Sequence, residues 1–175
     1  MSNFEIVEWY TDGRQCKVYT IHVLTKQDNE ASLFFGKYGS TLSPLHNQAL
    51  QLLQFIVKSI CNKHGAIDDF FDRHENLVNA LPPLPKKQPI EIAILGSAFP
   101  LRLYCIRVNE QIVILFNGGE KTSNTAQDSK DLSLKFYEAQ SFAIKIQDAL
   151  RSFIIELDGT KRNLRHYQIG NKMIL

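Results

Sequence analysis

Residues Leu101 to Thr122 read LRLYCIRVNEQIVILFNGGEKT, and the order of apolar, turn and charged residues in this stretch sets a geometry. Two strands flank Asn109-Glu110, which predicts a tight two-residue hairpin. In that register Val108 faces Gln111, Ile106 faces Val113, Tyr104 faces Leu115 and Arg102 faces Asn117. Arg102, Tyr104 and Ile106 then share one face of a sheet. Ile112 to Phe116 is apolar at every position, which predicts a central strand covered on both faces. Asn117-Gly118-Gly119 reads as a sharp bend that delivers Glu120-Lys121 beside Arg102. Two cations at one corner of a sheet suit an anion, although arginine and lysine at strand ends are also ordinary solvated residues.

Upstream, Phe4 to Tyr10 and Cys16 to Thr25 are rich in β-branched and aromatic residues, and the loop between them carries Asp12-Gly13. They predict an N-terminal hairpin, with His22 a structural side chain on its second arm. Ala31 to Tyr38 fits a short helix or a strand. A helix runs from Ser43-Pro44 to His64-Gly65, with Asn47, Gln51, Gln54, Lys58 and Asn62 on its polar stripe. Ala66 to Asn79 carries Asp68, Asp69, Asp72, His74 and Glu75, and reads as a short helix or turn with a solvated acidic side rather than a metal site. Leu81 to Lys87 is a proline-rich extended connector. Pro89 to Leu95 is a further strand candidate, leading into the 101–122 hairpin. Beyond that hairpin, Ser123 to Lys130 is polar and mobile. A second helix then starts around Ser129 to Ser133, buries Leu132, Phe136, Ala139, Ala143, Ile146, Leu150 and Phe153, and ends at Asp158-Gly159.

The 175 residues, 44% of them hydrophobic, suffice for one well-formed core. The net charge of +2 excludes a globally basic nucleic-acid binder and leaves only a local patch for that role. Lys161, Arg162, Arg165 and Lys172 lie in a tail from Gly159 that holds no acid, so the rest of the chain stands at −2. Residues 164–175 fit either an edge strand or an arm for an acidic partner or RNA. Cys16, Cys61 and Cys105 form no CxxC pair and read as reduced core thiols. The histidines fall in no paired ligand spacing, so no structural zinc is expected. The N-terminus has no secretory pattern, and no apolar run approaches a membrane span. A soluble cytoplasmic protein without membrane contact is the expectation.

The order of helix, connector, Leu101-Arg102-Leu103-Tyr104 hairpin, apolar strand and amphipathic helix resembles the RelE/ParE superfamily of bacterial toxins, with its HigB-like and phage-derived relatives. In that family the segment matching Leu101 to Tyr104 reads aromatic-Arg-aliphatic-aliphatic-Tyr, and a basic residue follows a glycine, here in Gly119-Glu120-Lys121. Asn76 to Pro83, with Asn117 to Thr122, looks like an uncharacterised branch of the same group. The resemblance covers about Ser43 to Leu150. It implies a single α+β domain: a mainly antiparallel sheet with helices packed on it, a toxin-like core over 43–155, an added N-terminal hairpin and connector over 1–40, and a basic C-terminal tail over 159–175.

What the resemblance implies for function is a toxin held inactive by a cognate antitoxin, such as a helix-turn-helix protein, that in RelE-like members cuts mRNA on the ribosome. The reaction requires no metal and no cofactor, because the ribose 2′-hydroxyl attacks the adjacent phosphate. Cations stabilise the more negative transition state, and a titratable group moves the proton. Arg102 and Lys121 match the family's basic positions at the reacting phosphate. Tyr137 is the candidate proton carrier, and Arg73, His74, Lys130 and Lys135 are the candidates for RNA contact. The chain departs from the pattern where many active members carry a Tyr or His shortly after the basic position, since Ser123 to Ser129 stands there. Two alternatives remain: a ParE-like toxin that poisons DNA gyrase, and a noncatalytic module that binds a protein partner.

Overall fold

The computed structural model describes residues 2–122 and 130–175. One sheet of seven strands organises the chain, in the order β3-β4-β5-β6-β2-β1-β9. The N-terminal hairpin supplies β1 (Phe4–Tyr10) and β2 (Lys17–Val23). Two helical segments follow, α1 (Glu30–Tyr38) and α2 (His46–Gln54), the second running on into a π-helical stretch, Phe55–His64. Short strands β3 (His74–Glu75) and β4 (Val78–Leu81) precede α3 (Ile90–Leu95). The central hairpin is β5 (Leu101–Asn109) and β6 (Ile112–Glu120), and α4 (Lys130–Arg151) comes next. β7 (Ile155–Leu157) and β8 (Leu164–His166) form a separate pair, and β9 (Met173–Ile174) returns to the rim of the main sheet against β1. No helix among the described residues is long and apolar enough to cross a membrane.

The fold is α+β. Neighbouring strands of the main sheet run antiparallel except β2 and β6, which lie parallel with Lys17 opposite Ile112 and Thr20 opposite Leu115. That pairing makes β1 and β2 part of the central sheet rather than an appendage to it. One apolar cluster lies between the sheet and α1, α2 and the π-helical stretch, through Phe34, Leu52, Ile56 and Ile60. The other lies under α4, through Leu132, Ala139, Phe142 and Ile146. Side chains from Ile112 to Phe116 alternate between the two and are all buried, so the unbroken apolar run follows from having no solvent face. Each such side chain stabilises the fold by about 1.5–3 kcal/mol relative to exposure.

Several expectations are corrected. The turn of the central hairpin is Glu110-Gln111, with Asn109 opposite Ile112, because Asn109 Oδ1 accepts from the Gln111 main-chain N–H at 2.7 Å and closes the turn with its own side chain. Irregularities between Arg107 and Asn109 and between Leu103 and Cys105 then move the register, so that Arg102 lies opposite Gly119 rather than Asn117. Asn117-Gly118-Gly119 is not a bend, and β6 continues through it to Glu120. Pro89 to Leu95 is not a strand. Both edges of β5 are already taken, by β4 and β6, and the segment instead turns helical from Ile90. Glu91 binds it to the π-helical stretch through Lys63 at 2.6 Å and His64 at 3.0 Å.

Ala66 to Asn79 holds one 3-10 turn, Asp68–Phe70, followed by the small β3-β4 hairpin turning at Asn76, whose φ is +59°. The last helix stops at Arg151 rather than at Asp158, as Phe153 takes a left-handed φ of +58° and the chain enters β7. The segment left open between helix and strand is helix α1, capped by Asn29 Oδ1 on the Ser32 N–H. Gly65 ends the first helical run at φ +81°, a conformation that a β-carbon penalises. The polar stretch Ser123 to Lys130 lies, apart from Lys130, outside the described residues.

Gly118 is required by space. A β-carbon there would lie 2.1 Å from the Arg102 carbonyl oxygen, 2.9 Å from Leu103 Cα and 2.9 Å from the Phe34 ring. Two of those atoms are backbone and cannot swing away. Gly118→Ala is therefore expected to cost about 3 kcal/mol or more in denaturant unfolding, by overpacking a buried strand pair.

Lys63, then His64, hold the Glu91 carboxyl down at about 2, against an ordinary 4.5. A depressed folded-state carboxyl contributes stability above its unfolded pKa and loses it as pH falls toward the folded value. The stability difference between the wild-type chain and Glu91→Gln should therefore narrow as pH falls from about 4.5 to about 2, read from urea midpoints at each pH.

Candidate functional site

The corner between β3, β4, β5 and the roof of α4 holds the most unusual polar groups of the fold. Arg102 lies on the α4 side of β5 with only 4% of its surface exposed. Its Nη1 donates to the Phe99 and Leu101 carbonyls, each at 2.8 Å. Arg73, just before β3, donates from Nε to the Pro82 carbonyl at 2.9 Å and from Nη2 to the Pro83 carbonyl at 3.2 Å. A proline run cannot supply a regular ladder, so its carbonyls remain available as acceptors for a guanidinium. The two arginines are near enough to repel: burial, and then the Arg73 charge, lower the Arg102 pKa to about 10, with Glu75 opposing. Burial also lowers Arg73. The Lys121 main-chain N–H donates to the Pro100 carbonyl at 2.7 Å, placing that backbone at the same turn.

Tyr104 stands beside this pair, its ring edge-on to Phe136 of α4 at 5.8 Å. Its hydroxyl is enclosed with no hydrogen-bond partner, and Glu75 approaches it outside hydrogen-bonding geometry. Burial, and next the Glu75 carboxylate, push its pKa up, against the opposing pull of Arg102. Gln140 of α4 completes the roof. It donates to the Glu75 carbonyl at 2.8 Å and accepts from the Leu77 N–H at 3.0 Å. The arrangement is a desolvated double cation beside one carboxylate and one neutral phenol.

The remaining candidates lie elsewhere. His74 contacts Asn79 at 3.0 Å and lines a cleft of about 400 Å³ with Asp68, Asp69, Asp72 and Arg107. Lys135 sits 3.9 Å from Glu138 and lines a different cleft, of about 110 Å³, with Glu30, Lys37 and Asn117. Lys130 is exposed at the start of α4, and Tyr137 is 64% exposed against Phe136. The structure thus groups Arg73 with Arg102 and separates His74 from Lys135. Among the described residues, no group of three or more histidine, cysteine or carboxylate side chains is placed to hold a metal ion.

The 110 Å³ cleft lies where β2 and β6, parallel neighbours, send their following helices to opposite faces of the sheet. Crevices of this kind, outside the carboxyl ends of parallel strands, are common ligand positions. A polar network borders the space through Glu30 and Asn117. Lys26 contacts the buried Glu30 at 2.5 Å and Glu138 at 3.8 Å, and the Asn117 amide nitrogen donates to Glu138. Nothing in the sequence marked this network, because Lys26, Asn117 and Glu138 come together only once β2 and β6 are adjacent. Gln140 was equally hidden as one polar position on a long amphipathic helix. Glu75 was visible only as a member of an acidic run.

Comparison of the chain with protein-family models, with curated proteins and with solved structures gave no match.

Removal of the Tyr104 hydroxyl is a direct probe of the corner. An enclosed, unpartnered hydroxyl costs free energy, so Tyr104→Phe is expected to leave stability unchanged or raise it by about 1 kcal/mol, measured by urea unfolding.

Proposed function

We propose that this chain is the toxin component of a toxin-antitoxin pair, acting as a metal-independent endoribonuclease on mRNA at the ribosome. The observation that supports this reading is the convergence of Arg73 and Arg102, two desolvated guanidiniums that repel each other beside Glu75 and Tyr104. A phosphate placed between them would relieve the repulsion, and its transition state, carrying more negative charge, would relieve it further. Arg102, matching the family's strand arginine, holds that phosphate together with Lys121, and Arg73 closes on it from the other side. Glu75 is the nearest carboxylate for taking the 2′-hydroxyl proton. Its place at the corner supplies a titratable group that the chain lacks between Ser123 and Ser129.

Access to the corner runs through α4. Arg102 is only 4% exposed, and its neighbours Tyr104 and Glu75 are held by Phe136 and Gln140 of α4, so RNA reaches it after that part of α4 lifts away. That same burial favours a second reading, a noncatalytic module whose arginines are structural donors to main-chain carbonyls.

Expression of the chain alone in bacteria separates the two. On the nuclease reading growth stops, mRNA is cut in a purified translation system, and Arg102→Ala combined with Lys121→Ala lowers cleavage by about 100-fold or more while circular dichroism shows the fold retained. Undiminished toxicity from the folded double variant moves the assignment to the noncatalytic module, or to a gyrase poison if DNA supercoiling is inhibited in the same extracts.

A further inference from the structure

Two of the three cysteines, far apart in sequence, meet in the core. Cys16 lies just before β2 and Cys61 in the last turn of the π-helical stretch, and both are fully buried. The Cys61 carbonyl accepts from the Gln15 N–H at 2.8 Å and from the Cys16 N–H at 3.1 Å. A direct main-chain bond between the two residues brings their backbones side by side, which is what a disulfide between them requires. The neighbouring Cys16 thiol, and then burial, push the Cys61 thiol up, and Cys16 Sγ donates to the Lys17 carbonyl at 3.5 Å.

The contact is built from several sides. The loop carrying Cys16 is fastened to the helix end by the Arg14 N–H on Asn62 Oδ1 at 3.3 Å and by Asn62 Nδ2 on the Tyr10 hydroxyl at 3.2 Å. A β-carbon on Gly13 would lie 2.9 Å from Cys61 Cβ, so the loop lies directly on that cysteine. Cys105 is equally buried, and its thiol is pushed up by burial.

We propose that Cys16 and Cys61 are a disulfide-forming pair that fastens the β1–β2 loop to the helical layer when the folding chain meets a small-molecule disulfide. The thiolate of one cysteine attacks a sulfur of the small disulfide, forming a mixed disulfide and releasing one thiolate. The second cysteine then attacks the protein sulfur of that mixed disulfide and releases the other thiolate. The protein loses two electrons and two protons, and the small disulfide is reduced to two thiols. The bond forms during folding, while the sulfurs are open to the oxidant, and is enclosed once β2 and the helix end have packed. In a reducing compartment the same pair remains two buried thiols, so the chain is compatible with either environment.

The test is oxidative refolding of the full chain. Reduced, unfolded protein is diluted into a buffer of reduced and oxidised glutathione. It is then denatured, alkylated with iodoacetamide and read by mass spectrometry. The expected product carries one alkyl group, on Cys105, and yields a linked peptide containing Cys16 and Cys61. Three alkyl groups on protein that has recovered its native circular dichroism, or a link through Cys105, overturns the proposal. The oxidised chain should also melt on the order of 10 °C above the same sample treated with dithiothreitol, as expected for a cross-link closing a loop of this length without distortion. A lower melting temperature after oxidation would show that the bond strains the fold and would equally overturn it.

Discussion

The parallel contact of β2 with β6 is the constraint on which the other features rest. By taking the open edge of β6, β2 converts a hairpin strand into an interior one, and Ile112 to Phe116 then have two apolar layers to fill. The contact is reinforced by a buried hydroxyl. Thr20 Oγ1 donates to the Leu115 carbonyl at 3.1 Å and accepts from the Ala31 N–H at 3.2 Å, tying the first turn of α1 to both strands. A polar group so enclosed is tolerated because donor and acceptor are both satisfied. The helices after the two strands must then diverge, α1 to one side and α4 to the other, and that divergence places α4 over the arginines.

The interior of the corner is accordingly electrostatic rather than greasy. Arg102 and Arg73 surrender hydration for carbonyls of the proline-rich turns, and each retains further N–H groups beyond those that bind main chain. Like charges held together in low dielectric are costly, and structures usually keep such arrangements where an anion is to be bound or where the main chain needs capping. Both uses draw on the same geometry, which is why exposure of the corner, more than its composition, separates the nuclease reading from the structural one.

The extent to which this was legible in the sequence follows from the range of the interactions. Strand identity in β1, β2, β5 and β6 was readable because alternation and apolar runs are local records of burial. The central place of β6 was readable for the same reason. The hairpin register was not, since it turned on the Asn109 side chain closing the loop and on irregularities that no pattern of hydrophobicity encodes. Ile90 to Leu95 alternates like a strand and folds as a helix because the sheet edges it would need are occupied, which is information held elsewhere in the chain. At the corner, Arg102 and Arg73 stood out as residues, but their proximity depends on β4 lying against β5. The pairing of Cys16 with Cys61 depends in turn on how a loop settles on a helix end.

The main sheet ends on short strands at both rims. Its outermost members, β3 and β9, are two residues each, and β9 meets β1 only at Glu5 and Ile6. A seven-strand sheet with long outer strands would offer a second molecule a ready template for fibrous growth. Here the terminal strands are brief, and the part of β1 that runs on past β9 carries an irregularity between Glu8 and Tyr10, so that border is not the flat, regular edge on which copies stack.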